Sequence, residues 1–410
     1  MIKRHNYNII LDSLKKKEIG ILIGARQVGK TTLLQEILKN LSHANQQVLY
    51  FNLDIENDAR FFDSQQKLLS RIQLEFGNNP AYIFIDEIQQ KQDAGRFLKG
   101  LYDMNLPYKF LVTGSGSLEL KEKVGEALTG RKQLINMDTV NFKEFVDYKC
   151  NYKYSNRLEA FFTLETEKTQ SFLNEYLVYG GYPKIVTSKV ISDKKDIMNE
   201  VFSSYLSKDI SYLLGVRSTD KFVKMIKLLA VQSGGLLNYS QLASDTGVSV
   251  DTLKNYLWYA EQTFIISIIK PYFTNAKKEL TKSPIVYFND IGMLNFATGR
   301  MGQIENINGF VFQNFVFNLL RQRYESPTTP INHWRTKDKA EVDFIIHSEG
   351  EIIPVEVKYS DLKKTSVTRS FRSFLKKYQP KRAMIVNLSF KENIIIENTE
   401  VQFIPYWELV

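Results

Sequence analysis

The sequence predicts an α/β protein that opens with a doubly wound parallel sheet and ends with a second, smaller α/β domain. The first sheet is predicted because short apolar segments typical of strands alternate with amphipathic segments typical of helices. The second is predicted because a helix-like segment after residue 305 is followed by strand-like segments. The strand-like segments of the first sheet are 19–23, 48–53, 82–85 and 110–112. Ligands of such sheets bind at the carboxyl ends of the strands.

The composition narrows the class of protein. With 43% hydrophobic and 24% charged residues, the 410-residue chain can form two or three ordinary cores. A formal net charge of +9 permits nucleic acid or other anionic partners without requiring them. The single cysteine, Cys150, excludes an intrachain disulfide and favours a reducing cytoplasm. No apolar stretch approaches the roughly 18 residues of a membrane span, so no membrane association is expected.

A phosphate-binding loop follows the first strand-like segment. Residues 24–31 have the GxxxxGK[ST] spacing, between an apolar strand and an amphipathic helix. We expect Lys30 to contact the β- and γ-phosphates of ATP and Thr31 to bind Mg²⁺. A glycine-rich turn formed by chance is the alternative. The predicted nucleotide-binding residues are Gly24, Ala25, Arg26, Gln27, Val28, Gly29, Lys30, Thr31 and Thr32.

An acidic pair ends the strand-like segment 82–85. We expect Asp86 to hold the Mg²⁺ shell and Glu87 to orient or deprotonate the attacking water. Thr113 and Ser115, after the next strand-like segment, would sense the γ-phosphate or position water, unless they form a plain turn. Arg131 would neutralise transition-state charge, in cis or from a neighbouring subunit of a homo-oligomer. A surface salt bridge is the alternative for Arg131.

A helix-turn-helix is predicted around residues 239–262. Gly247 suits a left-handed turn, and Ser249 can cap the second helix. A recognition helix in a DNA major groove is one interpretation. However, Lys254 is the only basic residue between Ser249 and Gln262, so a partner-docking or architectural role is favoured.

Two acidic residues and a lysine lie on consecutive strand-like segments near the C-terminus. Asp343 falls in the first, and Glu356 and Lys358 share a face of the second. Converging carboxylates can hold a second Mg²⁺ or Mn²⁺, with Lys358 stabilising charge on a phosphate. An exposed strand with an ordinary salt bridge is the alternative.

A basic segment follows these strands. Residues 363–382 are predicted to form a helix with a phosphate-binding surface for DNA, although they could be a solvated helix. Its basic residues are Lys363, Lys364, Arg369, Arg372, Lys376, Lys377, Lys381 and Arg382.

Taken in order, these motifs resemble those of a large prokaryotic ATPase family. They are GARQVGKTT, IFIDEIQ, LVTGSGS, LTGR, YGGYP, SPIVYFND and EVDFII followed by PVEVK. That family joins an AAA-type, STAND-like ATPase core to a winged helix and a PD-(D/E)XK nuclease-like domain. The resemblance implies an ATPase domain at 1–150, a helical lid or linker at 151–217, a winged helix at 218–300 and a restriction-endonuclease-like domain at 301–410. The family usually has Glu-Asn where this chain has Gln313-Asn314.

These observations lead to a primary hypothesis and two others. The first is a cytoplasmic, Mg²⁺-dependent ATPase whose nucleotide state controls the C-terminal module. The second is a metal-dependent nuclease regulated by that ATPase. The third is a nucleic-acid-binding or partner-docking protein with an inactive nuclease fold, because the amide of Gln313 is a poorer Mg²⁺ ligand than a carboxylate.

Overall fold

The structure is a computed structural model, and it describes residues 1–115, 128–210, 219–272, 283–324, 326, 329–336, 338–348 and 350–410. Contacts between residues divide the chain into two compact units. Unit 1 contains residues 1–140, 201–210 and Gln262–Phe264. Unit 2 contains Asn141–Glu200, 219–261 and Ile265–Val410. The finer division into four domains stays a prediction.

Unit 1 is built on a parallel five-stranded sheet in the order β2-β3-β4-β1-β5, which confirms the predicted α/β fold. Strand β4 therefore lies between the strand that precedes the phosphate loop and the strand that carries the acidic pair. The elements are α1 (Asn6–Leu14), β1 (Ile19–Gly24), α2 (Lys30–His43), β2 (Val48–Asn52), α3 (Glu56–Ala59), α4 (Gln65–Phe76), β3 (Ala81–Asp86), α5 (Ala94–Asp103), β4 (Tyr108–Ser115) and β5 (Lys132–Asn136).

The sheet of unit 1 lies in the interior of the unit, because its inner strands are apolar on both faces. Every residue of β1 is buried, and five of the six residues of β3 are buried. A parallel strand covered on both sides needs such a continuous apolar run. Helices α4 and α5 cover one side through Leu68, Ile72 and Leu98, which are 0% exposed.

Unit 1 is completed by residues far along the chain. The Tyr205 hydroxyl lies 2.9 Å from the Thr263 hydroxyl in a buried contact. Phe264 packs against the apolar core beside the sheet. Unit 1 is therefore discontinuous in sequence.

The first part of unit 2 is helical and is held together by aromatic side chains. Phe142 contacts the rings of Phe162, Tyr176 and Phe315, with ring centroids 5.3–6.2 Å apart. Such edge and stacked contacts add to the apolar area that each ring buries. The helices are α6 (Phe142–Lys149), α7 (Leu158–Leu164), α8 (Thr166–Tyr179), α9 (Pro183–Thr187) and α10 (Ile191–Ser204).

Two helices occupy the predicted helix-turn-helix region, a third helix precedes them, and a two-stranded ribbon follows them. Gly247 ends the first helix of the pair with a φ of 77°, and the Ser249 hydroxyl accepts a hydrogen bond from the Thr252 amide at 3.1 Å. The turn and the cap predicted at these two residues are thus present. The elements are α11 (Asp220–Val231), α12 (Tyr239–Thr246), α13 (Val250–Gln262), β6 (Ile266–Ile269) and β7 (Ile285–Phe288), with β6 and β7 antiparallel.

The C-terminal part of unit 2 contains a mixed six-stranded sheet in the order β12-β13-β11-β10-β9-β8. Strands β8, β9 and β10 form an antiparallel meander, and β11 joins β10 in parallel after a helix. The elements are α14 (Ile291–Ala297), α15 (Gly309–Tyr324), β8 (Ile331–Arg335), β9 (Glu341–Ser348), β10 (Glu351–Val357), α16 (Arg369–Tyr378), β11 (Arg382–Asn387), β12 (Glu392–Ile396) and β13 (Thr399–Pro405). No helix among the described residues is long and apolar enough to cross a membrane.

The buried imidazole of His333 gives unit 2 a pH-dependent stability. His333 on β8 is 2% exposed, and burial lowers its pKa to about 4. Between pH 6.5 and 4 the unfolded chain binds a proton that the folded unit does not, so stability falls as the pH falls through this window. We expect a loss of about 3 kcal/mol, because each pKa unit corresponds to about 1.4 kcal/mol.

This expectation is tested by unfolding wild type and a His333→Gln variant with urea at pH 7 and pH 4.5. Other groups also titrate in this range, so the difference between wild type and variant is the relevant quantity. The variant should lose less stability than wild type on acidification. An identical loss in both proteins would contradict the assignment to His333.

Candidate functional sites

The phosphate loop joins the carboxyl end of β1 to the first turn of α2. Gly29, the residue before α2, has a φ of 98°, a conformation that L side chains rarely adopt. Without a side chain, Gly29 cannot cap the helix, so the first amides of α2 are left to an anion. Gly24 at the end of β1 is also constrained, because a Cβ there would lie 2.1 Å from the Met137 carbonyl oxygen. Both glycines of the motif are therefore required by the backbone.

Lys30 lies folded beneath the loop. Its Nζ donates to the carbonyl oxygens of Gly24 at 2.9 Å and Ala25 at 2.8 Å, and the residue is 7% exposed. These contacts hold an ammonium group inside the turn formed by the loop. A positive charge at this position suits phosphate oxygens.

Asp86 lies at the centre of the candidate nucleotide site. Oδ2 accepts hydrogen bonds from the Thr31 hydroxyl at 2.8 Å and the Tyr50 hydroxyl at 3.1 Å. Oδ1 accepts from the Thr113 hydroxyl and, at 3.2 Å, from the Glu87 amide. Asp86 is only 1% exposed, so these donors replace the hydrogen bonds to water that a carboxylate loses when it is buried.

Glu87 stands next to Asp86 in a strained backbone conformation. Its φ is 57°, a left-handed value uncommon for a residue with a side chain. Burial raises the pKa of the Glu87 carboxyl, and the Gln89 amide that donates to Oε2 opposes part of this rise. A carboxylate with a raised pKa is a better proton acceptor, which suits a general base.

Thr113 and Ser115 lie at the end of β4; the predicted role of Thr113 needs correction, and that of Ser115 stays a prediction. Thr113 does not face an open site, because it is 0% exposed and donates to Asp86. The side chain of Ser115 lies outside the described part of the structure. Tyr50 was not predicted at all, because it stands in an apolar segment that matches no motif and only the pairing of β2 with β3 brings it near Asp86.

Arg131 is in the wrong place to act on a nucleotide bound in its own chain. Its carbonyl oxygen accepts from the Ile19 amide at the amino end of β1, whereas the phosphate loop begins at the carboxyl end. The length of β1 separates the two by roughly 20 Å. Arg131 forms a 2.7 Å ion pair with Asp103, so the predicted role in cis is wrong and the salt-bridge alternative is confirmed. Donation to a neighbouring subunit stays a prediction.

The residues present fit a nucleotide with Mg²⁺. The Thr31 hydroxyl and an Asp86 carboxylate oxygen lie 2.8 Å apart, a pair of hard oxygen ligands of the kind that Mg²⁺ prefers. Lys30 and the amide-rich start of α2 adjoin this pair in sequence.

The C-terminal carboxylates lie side by side on β9 and β10. The register that pairs Val355 with Phe344 brings Asp343 beside Glu356. Asp343 Oδ1 accepts from the Gln313 amide, and Oδ2 accepts from the Val357 amide, both at 2.7 Å. Burial and the Glu356 charge raise the pKa of Asp343 to about 7, against the effect of the Val357 amide.

Glu356 is held from two sides. Oε1 forms a 2.5 Å ion pair with Lys358, and Oε2 accepts from the Thr368 hydroxyl at 2.9 Å. Within the described ranges, no three His, Cys, Asp or Glu side chains converge as a metal site. Protein donors contact all four carboxylate oxygens of Asp343 and Glu356, and the second Mg²⁺ or Mn²⁺ at this site stays a prediction.

The two amides at the Gln313-Asn314 position have different roles. Asn314 is 0% exposed, and its amide makes two hydrogen bonds to the backbone of Phe288, as a neighbouring strand would. It also accepts from the Ser233 hydroxyl at 3.0 Å. Asn314 is thus a structural residue, and only Gln313 reaches the carboxylates.

The YGGYP and FND motifs of the resemblance meet inside unit 2. Asp290 accepts from the Gly181 amide at 2.8 Å and caps α14 through the Met293 amide at 3.0 Å. A Cβ on Gly180 would lie 2.4 Å from Asp290 Oδ1. These motifs therefore fix the end of α8 against the start of α14.

The predicted basic helix is shorter than expected. Thr368 caps α16 at one end, and a left-handed Gln379 ends it at the other, so the helix spans Arg369–Tyr378 and not 363–382. Lys363 and Lys381 form ion pairs with acidic neighbours. The exposed basic residues of α16 are Arg369, Arg372, Lys376 and Lys377, for which the described residues offer no acidic partner. Lys377 lies over the rings of Trp334 and Tyr378.

Comparison with known proteins adds to this geometry. Residues 16–146 match a family model described as an AAA domain. The N-terminal region is thus similar to AAA domains. Two further models, each described as a domain of unknown function, match residues 170–303 (DUF8612) and residues 308–409 (DUF4143). The AAA match includes the phosphate loop, Asp86, Glu87 and Thr113.

Two relatives that match most of this chain are described as uncharacterized proteins. The chain is 24% identical to an uncharacterized protein of Methanocaldococcus jannaschii over 405 residues, covering 95% of this chain and 88% of that protein. It is 26% identical to an uncharacterized protein of Haemophilus influenzae over 425 residues, covering 100% of this chain and 99% of that protein. Both matches extend well beyond residues 16–146 of this chain.

Solved structures give weak overall matches. Cdc6p from Pyrobaculum aerophilum has a TM-score of 0.30 at 9% identity, covering 74% of this chain and 95% of that chain. The replication initiator DnaA, bound to AMPPCP and single-stranded DNA, has a TM-score of 0.31 at 13% identity, covering 64% and 90%. Scores this low identify no common overall arrangement.

Substitutions at the adjacent positions 313 and 314 of α15 should distinguish a residue that stabilises the fold from one that contacts the carboxylates. Asn314→Ala removes the partner of the buried Phe288 amide, so we expect a loss of about 2–3 kcal/mol in the free energy of unfolding. Gln313→Ala removes one donor from a half-buried carboxylate and should cost less than about 1 kcal/mol. Urea unfolding of both variants measures the difference, and equal losses would contradict the structural role of Asn314.

Proposed function

We propose that the AAA-type domain is a Mg²⁺-dependent ATPase whose nucleotide state controls the C-terminal module of unit 2. The observation that carries the proposal is the pairing of Thr31 with Asp86 at 2.8 Å, beside Lys30 and Glu87. Hydroxyl, carboxylate, ammonium and a second carboxylate are the groups that phosphoryl transfer to water needs.

Each side chain has a separate task in this mechanism. The amides at the start of α2 and the Lys30 ammonium bind the phosphate chain. Thr31 and Asp86 would hold Mg²⁺, which supplies charge neutralisation at the β- and γ-phosphate oxygens. Glu87 accepts a proton from the attacking water, for which its raised pKa suits it.

The hydrogen bonds to Asp86 preorganise this arrangement. Tyr50 and Thr113 hold the carboxylate from the neighbouring strands β2 and β4. The side chain therefore does not need to reorganise when the nucleotide arrives. Tyr50 and Thr113 support the site without touching the nucleotide.

Substitutions in the loop and at the acidic pair should separate binding from hydrolysis. Lys30→Ala removes the phosphate contact and should weaken Mg-ATP binding more than tenfold, about 1.4 kcal/mol or more. Glu87→Gln keeps the shape of the side chain but not its basicity, so it should bind Mg-ATP and lose about 10²–10³ in turnover. Lys39→Ala, on the exposed face of α2, is the control and should behave like wild type.

Calorimetry measures the binding, and phosphate release measures the turnover. Equal turnover in wild type, Lys30→Ala and Glu87→Gln would rule out hydrolysis at this site. Binding by wild type without turnover would support a nucleotide switch, which is a non-enzymatic function.

For unit 2 we propose nucleic-acid binding by a nuclease-like module that does not cleave. Its order of elements, a helix, three antiparallel strands, a helix and a parallel strand, supports the restriction-endonuclease-like assignment. The Gln313 amide, a poorer Mg²⁺ ligand than a carboxylate, donates to Asp343 and argues against metal-dependent cleavage. Arg369, Arg372 and Lys376 on α16 supply the positive surface for phosphates. Helices α11–α13 with the β6-β7 ribbon would be a winged helix that docks a partner.

Charge reversal on α16 tests this binding. Arg369→Glu with Lys376→Glu should reduce the slope of log affinity against log salt for duplex DNA by about two, because each basic contact releases about one counterion. Lys168→Glu with Lys195→Glu changes the net charge equally at exposed sites elsewhere in unit 2. Fluorescence anisotropy over a salt series gives the slopes, and an unchanged slope for the α16 variant would exclude this surface.

The same DNA samples, incubated with Mg²⁺ or Mn²⁺, test cleavage. We expect none. Cleavage that is lost in Asp343→Ala would instead establish a nuclease at this site, and cleavage that survives the substitution would place the activity elsewhere.

A further inference from the structure

A buried arginine outside every sequence motif contacts the phosphate loop. Arg4 precedes α1 and is 9% exposed. Its Nη1 donates to the Val28 carbonyl at 2.7 Å, inside the loop. Its Nη2 donates to the carbonyl oxygens of Asp138 at 2.6 Å and Thr139 at 3.2 Å. One planar guanidinium thus connects two backbone segments separated by more than a hundred residues.

The segment at Asp138 and Thr139 lies directly against the loop. The Met137 amide donates to the Ile23 carbonyl at 2.7 Å, and the Met137 carbonyl leaves no room for a side chain at Gly24. The first segment of unit 1 ends at Val140, and the chain then enters unit 2. Residues 137–140, here named the exit segment, are therefore in contact with the phosphate loop at one end and covalently joined to unit 2 at the other.

We propose that Arg4 is a positioning residue that couples the conformation of the phosphate loop to the exit segment. This inference rests on the proposed nucleotide binding. When phosphate is bound, the loop is held in one conformation, and Arg4 transfers that order to residues 137–140. When the loop is free to change, the Val28 carbonyl moves and the two Arg4 contacts on the exit segment change with it.

The chemistry favours arginine for this role. A guanidinium has several donors in a fixed plane, so it can bond to carbonyl oxygens on two segments at once. A buried cation needs such partners, since an unpaired one is costly. A lysine ammonium could keep the charge near the loop but is a single point at the end of a flexible chain. The Arg4→Lys variant therefore keeps the positive charge but removes the hydrogen bonds that join the loop to the exit segment.

The experiment uses the full chain and two measurements. Calorimetry gives the Kd for Mg-ATP and Mg-ADP, and hydrogen exchange of peptides covering 137–141 reports the order of the exit segment with and without nucleotide. The variants are Arg4→Ala and Arg4→Lys. Lys16→Ala removes the same charge from an exposed side chain of unit 1 and serves as the control.

We expect wild type and Lys16→Ala to bind Mg-ATP equally and to show slower exchange of the exit segment when it is bound. Arg4→Ala should bind about tenfold more weakly, as expected for a lost charge-assisted hydrogen bond that holds the loop. At saturating Mg-ATP it should show no protection of the exit segment. Arg4→Lys should keep most of the affinity and still lose the protection.

The outcomes distinguish this inference from the proposed function. Protection of the exit segment that persists in both Arg4 variants overturns the coupling role, whatever the affinities. If wild type binds no Mg-ATP, the proposed function fails, and the coupling fails with it. If Arg4→Ala does not fold, as shown by circular dichroism, the exchange pattern of Arg4→Lys decides alone.

Discussion

The candidate nucleotide site depends on one buried carboxylate, that of Asp86, which requires hydrogen-bond donors around it. Asp86 is almost inaccessible to water, so its charge is tolerated only because donors from α2, β2 and β4 surround it. The sheet order supplies those donors, since β3 lies between β2 and β4. The same contacts place Thr31, and with it the start of α2, at the carboxyl end of the acidic strand. The order of the strands therefore determines which side chains can donate hydrogen bonds to Asp86.

The second unit shows how similar side chains can take different roles at neighbouring positions. Asn314 points at the backbone of β7 and completes its hydrogen bonding, whereas Gln313 points at Asp343. Successive helical residues differ by about 100° in direction, so the two amides serve different neighbours. A carboxylate in place of Gln313 would bring a third negative group to Asp343 and Glu356 and would favour a cation there. The amide instead donates a hydrogen bond and removes that need.

The sequence could predict features that depend on local spacing. The phosphate loop, Asp86, Glu87, the turn at Gly247 and the cap at Ser249 are each defined within a few residues, and the parallel sheet follows from alternating patterns. Features that depend on strand order were missed. Thr113 faces Asp86 because β4 lies beside β3, and Tyr50 does so because β2 lies on the other side. The role of Arg131 in cis was wrong for the same reason, since nothing local shows which end of the sheet it occupies. Arg4 belongs to no motif, and only three-dimensional contacts reveal its role.

The discontinuity of unit 1 has a consequence for the order in which the protein is made. The contact between Tyr205 and Thr263, and the packing of Phe264 on the core, require residues synthesised long after β5. During translation the sheet and the phosphate loop leave the ribosome first, yet their unit is complete only when residue 264 has followed. Apolar surface of the core that Phe264 later covers is exposed in that interval, a state in which nascent chains associate with chaperones or with each other. Unit 1 can therefore finish folding only after a large part of unit 2 has been synthesised.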